Sequence, residues 1–242
     1  MSPSIDKAFL LAAGYGMRMR PLTETCPKPL LKVAGKPIID YALDALKQAG
    51  VRDVIVNLNY LGHMLEDHLK AREDMNITLS WEDELLDTGG GVKKEHDFFG
   101  DDPFFVLNGD VIWKSTDRPA LELLKDNWHD EDMDLLLLLQ SLSDMPIDFI
   151  AAGDYFLDDD TGRLRRRRDA DAAPYMFMGP RIVHPRVFKD APKGAFSFRE
   201  LFDTAESKDR LYGAVHTGKW YHVGTPEALR ETDEILRGEQ AA

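Results

Sequence analysis

The sequence has a single cysteine, Cys26, so an internal disulfide and a cysteine-rich metal site are both excluded. Long hydrophobic runs are also missing, since stretches such as residues 135–139 are far too short to span a bilayer. Residues 1–11 carry no apolar segment of signal-peptide length. We therefore expect a protein of the reducing cytoplasm that neither crosses a membrane nor is exported.

Positive charge is scarce as well. The 242 residues include 30 Lys and Arg against 43 Asp and Glu, which gives a net charge of −13. A surface of that sign does not attract the phosphate backbone of a nucleic acid, so we expect no nucleic-acid partner. A local cluster of cations can still bind a small anion. Nothing in the composition implies an obligate protein partner.

Strand and helix patterns alternate through the first half of the chain. Apolar residues at helical spacing after Pro37 predict an amphipathic helix that ends at Gly50, where a left-handed cap is typical. Short apolar or alternating runs predict buried strands between the helices. The further predictions are strands at 8–13, 53–58, 76–81 and 104–107, and helices at 61–71, 92–98 and 121–128.

The second half of the sequence lacks the alternation of strands and helices. Predicted strands follow one another there, with acidic turns between them. These strands cover 135–142, 149–157, 164–167 and 175–183. A closing helix is predicted over 226–236, with Thr225 as its N-cap and Pro226 in its first turn. We expect one α/β domain over residues 1–242, in which a small, partly antiparallel extension continues the sheet.

The most informative segment runs from Leu10 to Thr23 and continues to Pro27-Lys28-Pro29. Its small residues let backbone N–H groups approach phosphates, and Arg18 and Lys28 supply positive charge. A lone Gly-x-Gly is more often an ordinary turn after a strand. A dinucleotide-binding fingerprint would need a glycine at Met19, and no Gly-Lys-Ser or Gly-Lys-Thr of a Walker loop occurs.

This string resembles the signature of the nucleoside-diphosphate-sugar pyrophosphorylases, or sugar-1-phosphate nucleotidyltransferases, which reads Leu-Ala-Ala-Gly-x-Gly-x-Arg and later Pro-Lys-Pro. The resemblance implies a Rossmann-like, mixed, mostly parallel sheet flanked by helices. It also implies that an NTP and a sugar 1-phosphate are the substrates, with Arg18 and Lys28 as catalytic residues on the triphosphate. The nucleotide-binding residues implied are Ala12, Ala13, Gly14, Gly16, Met17, Gly90 and Asn108.

Two further segments resemble the metal-binding parts of the family. Asn108-Gly109-Asp110 matches a strand-end triplet whose aspartate binds magnesium, an ion that prefers oxygen ligands. In the segment 220–226, His222 stands where the family has a second metal-binding aspartate. Imidazole suits manganese or other transition ions better than magnesium. His222 therefore binds the metal directly, binds it through a water, or packs in the core; we expect Mg²⁺, or alternatively Mn²⁺, as cofactor.

The sugar side is less well defined by the sequence. Gly153 and Asp154 lie where the family contacts sugar hydroxyls, but the Glu-Lys-Pro element of many relatives is missing. Residues 165–168 are four arginines, of which at most half can face one side of a strand, and a solvated hairpin face is the preferred interpretation. Candidates for the edge of the base pocket are Asn57, Asn59 and His63.

The resemblance divides the chain into a nucleotide-binding half, about residues 1–115, and a sugar-binding half, about 116–242. Its short form and triple-glycine run are most similar to uridylyltransferases of bacterial cell-wall recycling. Mannose-1-phosphate guanylyltransferases and glucose-1-phosphate thymidylyltransferases share the same short architecture, so base and sugar stay open. An alternative of another class is a non-catalytic sensor of nucleotide sugars, for which His222 is the supporting feature.

Overall fold

The computed structural model describes residues 5–145, 152–168 and 172–241, and it has a nine-stranded sheet at its centre. Two two-stranded ribbons lie beside that sheet. In chain order the described strands are β1 (Lys7–Leu11), β2 (Lys32–Val33), β3 (Lys36–Pro37), β4 (Asp53–Leu58), β5 (Asn76–Trp81), β6 (Phe104–Asn108), β7 (Val111–Ser115), β8 (Leu135–Ser141), β9 (Tyr155–Leu157), β10 (Leu164–Arg166), β11 (Tyr175–Val183), β12 (Leu211–Val215) and β13 (Gly218–His222).

Six α-helices occur in the described residues, and none of them is long and apolar enough to cross a membrane. Three short 3-10 turns, Met17–Met19, Leu22–Glu24 and Lys28–Leu30, follow β1. The helices are α1 (Ile38–Gln48), α2 (Gly62–Lys70), α3 (Asp87–Lys94), α4 (Ala120–Asn127), α5 (Phe198–Ser207) and α6 (Pro226–Ala241).

The sheet confirms the predicted fold class, a mixed α/β sheet with a parallel nucleus. Strands β6, β1, β4 and β5 are adjacent and parallel, with Leu11 opposite Asn108 and Asn57 opposite Ser80. Strand β11 pairs with β6 in antiparallel orientation. Strands β8 and β9 pair with β11, also antiparallel, and form part of the extension. Because parallel strands share a direction, the carboxyl ends of these four strands lie at one edge of the sheet.

Helices cover both faces of the sheet, because successive side chains along β1 are apolar and point to opposite faces. Phe9 packs on the side of α3 and α5, whereas Ala8 and Leu10 pack on the side of α1, α2 and α4. All three side chains are fully buried. Each large apolar side chain buried in this way contributes roughly 1.5–3 kcal/mol. The two apolar layers therefore hold β1, and with it the glycine-rich segment that follows β1, in a rigid position.

The glycine run at residues 89–91 was expected to precede a helix at 92–98, and that prediction is wrong. The glycines lie inside α3, which begins at Asp87, and a separate 3-10 turn covers His96–Phe98. A Cβ on Gly89 would come within 2.3 Å of the Phe196 ring, and one on Gly90 within 2.4 Å of the Gly194 carbonyl oxygen. Glycine therefore allows this helix to pack against a neighbouring backbone.

The second half also departs from the expected run of strands. Helix α5 lies between β11 and β12, and its buried residues have the spacing of an amphipathic helix. The predicted strand at 149–157 begins outside the described residues, and its described part is β9. The closing helix begins at Pro226 as expected, and the Thr225 hydroxyl accepts a hydrogen bond from the Ala228 N–H at 3.2 Å. It extends to Ala241, beyond the predicted end.

A buried histidine joins the ribbon of β7 and β13 to the main sheet. His216 is fully buried, with Nδ1 3.1 Å from Gln140 Oε1 and Nε2 3.1 Å from Ser115 Oγ. Burial lowers the pKa of His216 to about 4, because the imidazolium would have to be formed away from water. The folded protein therefore holds this imidazole in its neutral form at neutral pH.

Acid destabilises the fold through His216, because the pKa of His216 is lower in the folded protein than in the unfolded chain. Between pH 6.5 and 4 the unfolded chain protonates His216 while the folded protein does not, so acid destabilises the fold by up to about 1.4 kcal/mol per pH unit. We expect His216→Gln to reduce the slope of unfolding free energy against pH in that window, measured by urea denaturation. Equal slopes in His216→Gln and its parent would contradict this role.

Candidate active site

A cavity of about 510 Å³ opens at the edge where the parallel strands end. The strand ends β1, β4 and β6 contribute to its walls, and so does the segment between β5 and α3. Gly224 closes it from the side of the β13–α6 connection. The residues expected from the sequence that line this cavity are Ala12, Ala13, Gly14, Gly16, Met17, Arg18, Lys28, Asn57, Asn108 and Asp110.

The first glycine turn is shaped by Gly16, whose φ is +61°. A Cβ at this position would lie 2.9 Å from Thr23 Cγ2, so glycine is required by both conformation and space. The Gly16 carbonyl accepts hydrogen bonds from the Met19 N–H and the Thr23 hydroxyl, both at 2.9 Å. Gly14 differs, because nothing lies within 4 Å of its Cβ position. A ligand can therefore approach the backbone at Gly14 closely.

The charged wall of the cavity is an ion pair between Lys28 and Asp110. Lys28 Nζ lies 2.6 Å from Asp110 Oδ2, and the two side chains are 9% and 33% exposed. Lys28 belongs to a short turn closed by a hydrogen bond from Leu31 N to its carbonyl. Arg18 is exposed, and its Nη1 lies on the Gly224 side of the cavity, 3.7 Å from where a Cβ on Gly224 would be. A cation and a carboxylate thus meet where both can contact a bound phosphate or its metal ion.

The ribbon of β7 and β13 brings His222 to this ion pair. His222 is exposed, so it does not pack in the core; it pairs with Val111, the residue after Asp110, and does not itself line the cavity. Partial burial of the imidazole lowers the pKa of His222; the negative charge of Asp110 opposes this shift, and Lys28 and Arg18 add to it. The lowered pKa favours the neutral imidazole, the form that can bind a metal ion.

The donor set fits a divalent cation held partly by its substrates. Among the described residues, no group of three or more His, Cys, Asp or Glu side chains could hold a metal ion. Lys28 is the one described hydrogen-bond partner of the Asp110 carboxylate, which leaves the second carboxylate oxygen available to a hard cation. Asp110 and His222 therefore supply at most two ligands, and phosphate or water oxygens must supply the others.

A buried polar network, of which only Asn57 was expected from the sequence, connects the two glycine segments. Asn57 Oδ1 accepts a hydrogen bond from the Ala12 N–H at 2.7 Å, and Asn57 Nδ2 donates to Glu82 Oε1 at 2.8 Å. Glu82 Oε2 accepts from the Leu86 N–H at 2.9 Å. Asn57 and Glu82 are 3% and 4% exposed. Glu82 directly follows β5, and a strand-end carboxylate at the site edge was the signal that could have identified it.

Other candidates lie outside the cavity wall. Gly90 donates its N–H to the Phe196 carbonyl at 3.2 Å and faces Gly194, so Asp87 and Thr88 line the cavity in its place. Asn59 Nδ2 donates to the Glu82 carbonyl at 2.8 Å.

His63 packs on the Trp81 ring with 4.7 Å between ring centroids, and its side chain is 87% exposed. Neither Asn59 nor His63 contributes to the cavity wall.

The two sugar-side candidates are separated by the structure. Gly153 has a φ of +68°, and a Cβ there would lie 1.9 Å from the Ala173 carbonyl oxygen, so neighbouring backbone explains the glycine. Asp154 lines a second, adjoining cavity, and its Oδ2 accepts a hydrogen bond from the Phe177 N–H at 3.0 Å. Thr88 and Asn108 line both cavities, so the two are contiguous.

A family model described as nucleotidyl transferase matches residues 7–139, which include the first glycine segment and the Lys28–Asp110 pair. The chain belongs to the nucleotidyl transferase family. Together with the curated relatives, this membership confirms the resemblance drawn from the signature at Leu10–Thr23 and identifies the chain as a sugar-1-phosphate nucleotidyltransferase.

The sequences of curated relatives match this chain over nearly its whole length. An N-acetylmuramate alpha-1-phosphate uridylyltransferase of Caulobacter vibrioides is 39% identical, over 94% of this chain and 96% of its own. One of Neisseria meningitidis serogroup B is 32% identical, over 95% and 97%. The mannose-1-phosphate guanylyltransferase catalytic subunit beta of Danio rerio is 32% identical over 91% of this chain but 62% of its own.

Solved structures agree on the fold. A UDP-glucose pyrophosphorylase complexed with UDP-glucose superposes with a TM-score of 0.78 at 19% identity, covering 98% of this chain and all of its own. HddC from Yersinia pseudotuberculosis complexed with GMP-PN gives a TM-score of 0.76 at 21% identity, covering 96% and 100%. The nucleotidyltransferase thus has the nucleotide-diphospho-sugar transferase fold.

The hydrogen bonds of Asn57 predict how a substitution at this residue changes the free energy of unfolding. Asn57→Ala leaves the Ala12 N–H without its acceptor and the buried Glu82 Oε1 without its donor, and each unpaired group costs about 1–3 kcal/mol. We expect the free energy of unfolding to fall by about 2–4 kcal/mol, measured by chemical denaturation. His63→Ala, at an exposed position of the same region, should change it by less than about 0.5 kcal/mol. An Asn57→Ala protein as stable as its parent would rule the network out as a structural link.

Proposed function

We propose that this chain transfers a uridylyl group from UTP to N-acetylmuramate 1-phosphate, with release of pyrophosphate, in the recycling of cell-wall sugar. The observation that carries the proposal is the meeting of Arg18, Lys28 and Asp110 at one cavity beside the glycine turn. Two relatives named for this reaction match the chain over nearly their full lengths, which supports the choice of substrates.

In the proposed reaction, an oxygen of the sugar 1-phosphate attacks the α-phosphorus of the nucleotide. The bond to the β-phosphate oxygen breaks, and pyrophosphate leaves with the electron pair. The attacking phosphate is already ionised at neutral pH, so no side chain has to remove a proton. Arg18 and Lys28 stabilise the negative charge that develops on the phosphate oxygens. Backbone N–H groups near Gly14 hold the nucleotide in line.

A divalent cation, Mg²⁺ or Mn²⁺, neutralises the same oxygens when it is bound. Asp110 would hold it, with His222 as a direct ligand or through a water. Lys28 takes part in positioning Asp110, because their ion pair fixes the carboxylate at the cavity wall.

The proposal assigns the two halves of the chain to the two substrates. Residues up to about 115 supply most of the nucleotide cavity, and Gly224 is its contribution from the second half. Residues from about 116 onward supply most of the adjoining cavity, where Asp154 is proposed to contact the sugar. The single cysteine and the acidic surface support a cytoplasmic enzyme without a nucleic-acid partner.

Two alternatives are tested by the same assay. Guanylyl transfer to mannose 1-phosphate is favoured by the match to the Danio rerio subunit, which is weaker than the match to the uridylyltransferases. A non-catalytic sensor would keep the nucleotide cavity without turnover. The Lys28–Asp110 pair argues for catalysis, because a binding protein does not need charge placed for a transition state.

The substrate assignment is tested by pyrophosphate release with each NTP and each candidate sugar 1-phosphate. We expect UTP with N-acetylmuramate 1-phosphate to give the highest kcat/KM. Lys28→Ala and Arg18→Ala should each lower kcat by about 10²–10³-fold, as loss of one charge clamp does elsewhere. The exposed Lys32→Ala, nearby in sequence, is the matched control and should retain parental activity. No pyrophosphate in any combination would favour the sensor, and parental turnover in both variants would refute the assigned roles.

The metal assignment predicts opposite behaviour for two substitutions. Asp110→Asn should abolish metal-dependent turnover, because its carboxylate is the proposed oxygen ligand. His222→Asp should lower the Mg²⁺ concentration needed for half-maximal activity, since carboxylate suits magnesium better than imidazole does. Both are measured by titrating metal into chelator-treated enzyme. If His222→Asp leaves the Mg²⁺ and Mn²⁺ titrations unchanged, His222 takes no part in metal binding.

A further inference from the structure

The second cavity, of about 230 Å³, adjoins the nucleotide cavity and shares Thr88 and Asn108 with it. Its wall is unusually basic for a chain with a net charge of −13. Asp154 is the one acidic side chain of that wall among the described residues. The basic residues of the wall are Arg166, Arg167, Arg181 and Arg199. Two members of the four-arginine run, residues 165–168, thus face a cavity instead of a solvated surface.

Arg181 is the distinctive member, because it is buried without a carboxylate. Its side chain is 2% exposed, and its Nη1 donates to Asn108 Oδ1 at 3.3 Å and to the Gly179 carbonyl at 2.7 Å. The Nε atom has no hydrogen-bond partner in the described part of the chain. Burial lowers the pKa of Arg181 to about 9, so the guanidinium still carries its charge at neutral pH. A buried charge without a counter-ion is costly, and an anionic ligand would offset that cost.

The surroundings hold this guanidinium in one orientation. Its central carbon lies 4.2 Å from the ring centroid of Phe198, 5.6 Å from that of Phe177 and 5.8 Å from that of Phe202. Aromatic faces stabilise a cation while leaving the planar N–H groups available at its edge. The guanidinium lies at the cavity wall with its Nε N–H unpaired in the described residues, and a carboxylate in the cavity is the acceptor that would pair with it.

The other arginines of the wall are already engaged. Arg166 Nε lies 2.9 Å from Asp203 Oδ1, and Arg167 Nε donates to the Gly153 carbonyl at 2.9 Å. Arg199 is exposed at the first turn of α5. These groups raise the local positive potential, but Arg181 is the buried cation whose charge is not matched by an acid.

We infer that this cavity takes a carboxylate carried by the sugar of the sugar 1-phosphate, and that Arg181 is the residue that recognises it. The inference rests on the proposed function and assigns its specificity for an acidic sugar to one buried side chain, Arg181. The 1-phosphate itself has to lie beside the α-phosphorus, near Arg18 and Lys28. A second anion on the sugar would then extend past Asn108 into the basic cavity.

The first test uses the unaltered enzyme and two sugar phosphates. N-acetylmuramate 1-phosphate and N-acetylglucosamine 1-phosphate differ by a lactyl ether, which carries the carboxylate. With UTP and metal, we expect kcat/KM to be at least about 10-fold higher for the acid, the advantage of one charged hydrogen-bonded pair. Equal values for the two sugars overturn the proposed substrate together with the inference, whereas a preference for the acid that Arg181→Met retains overturns the inference alone. No turnover with either sugar, or with any other NTP and sugar phosphate, overturns the proposed function instead.

The second test removes the guanidinium. Arg181→Met should lower kcat/KM for the acidic sugar by about 10–100-fold, while the neutral sugar and the KM for UTP keep their parental values. Arg165→Met is the matched control, because Arg165 lies over the Phe156 ring outside the cavity, and it should preserve the preference. Equal loss with both sugars would show a structural or phosphate-binding role and overturn the inference. If Arg181→Met does not fold, Arg181→Lys is compared in the same way.

Discussion

The site depends on one constraint, that four adjacent parallel strands must end at the same edge of the sheet. β6, β1, β4 and β5 are in register, so Ala12, Asn57, Glu82 and Asn108 emerge beside one another although they are far apart in the chain. The hydrogen bonds from Ala12 to Asn57 and from Asn57 to Glu82 then fix the two glycine segments relative to each other. The cavity is therefore a product of strand direction before any ligand is considered.

The positive charge of the site comes from a few buried residues. A chain of net negative charge has to place cations close together in order to bind anions. Lys28 is buried against Asp110, and Arg181 is buried among aromatic rings. Burial strengthens the interaction of each cation with an anion, because less water screens it. The two buried cations lie at two contiguous cavities, which suits a reaction between two negatively charged substrates.

The parts of the fold that could be predicted are those with local signals. The helix after Pro37 and the strands at 53–58 and 76–81 follow from apolar spacing, and the fold class follows from their alternation. Helix α5 carried the same kind of signal and was missed. The glycine run of α3 was misread because glycine normally weakens a helix. Its reason, contact with Phe196 and Gly194, lies more than 100 residues away in the chain and has no local trace.

The sequence by itself determined the family, because a long string of small residues with Arg18 and Lys28 at set spacings has few other uses. It also pointed to Asp110, since a carboxylate after a buried strand reaches the edge of a parallel sheet. Only the tertiary structure decided that His222 lies beside Asp110, because that depends on pairing between β7 and β13. It alone showed Arg181 buried without an acid, since burial and counter-ions are properties of packing, which no spacing along the chain encodes.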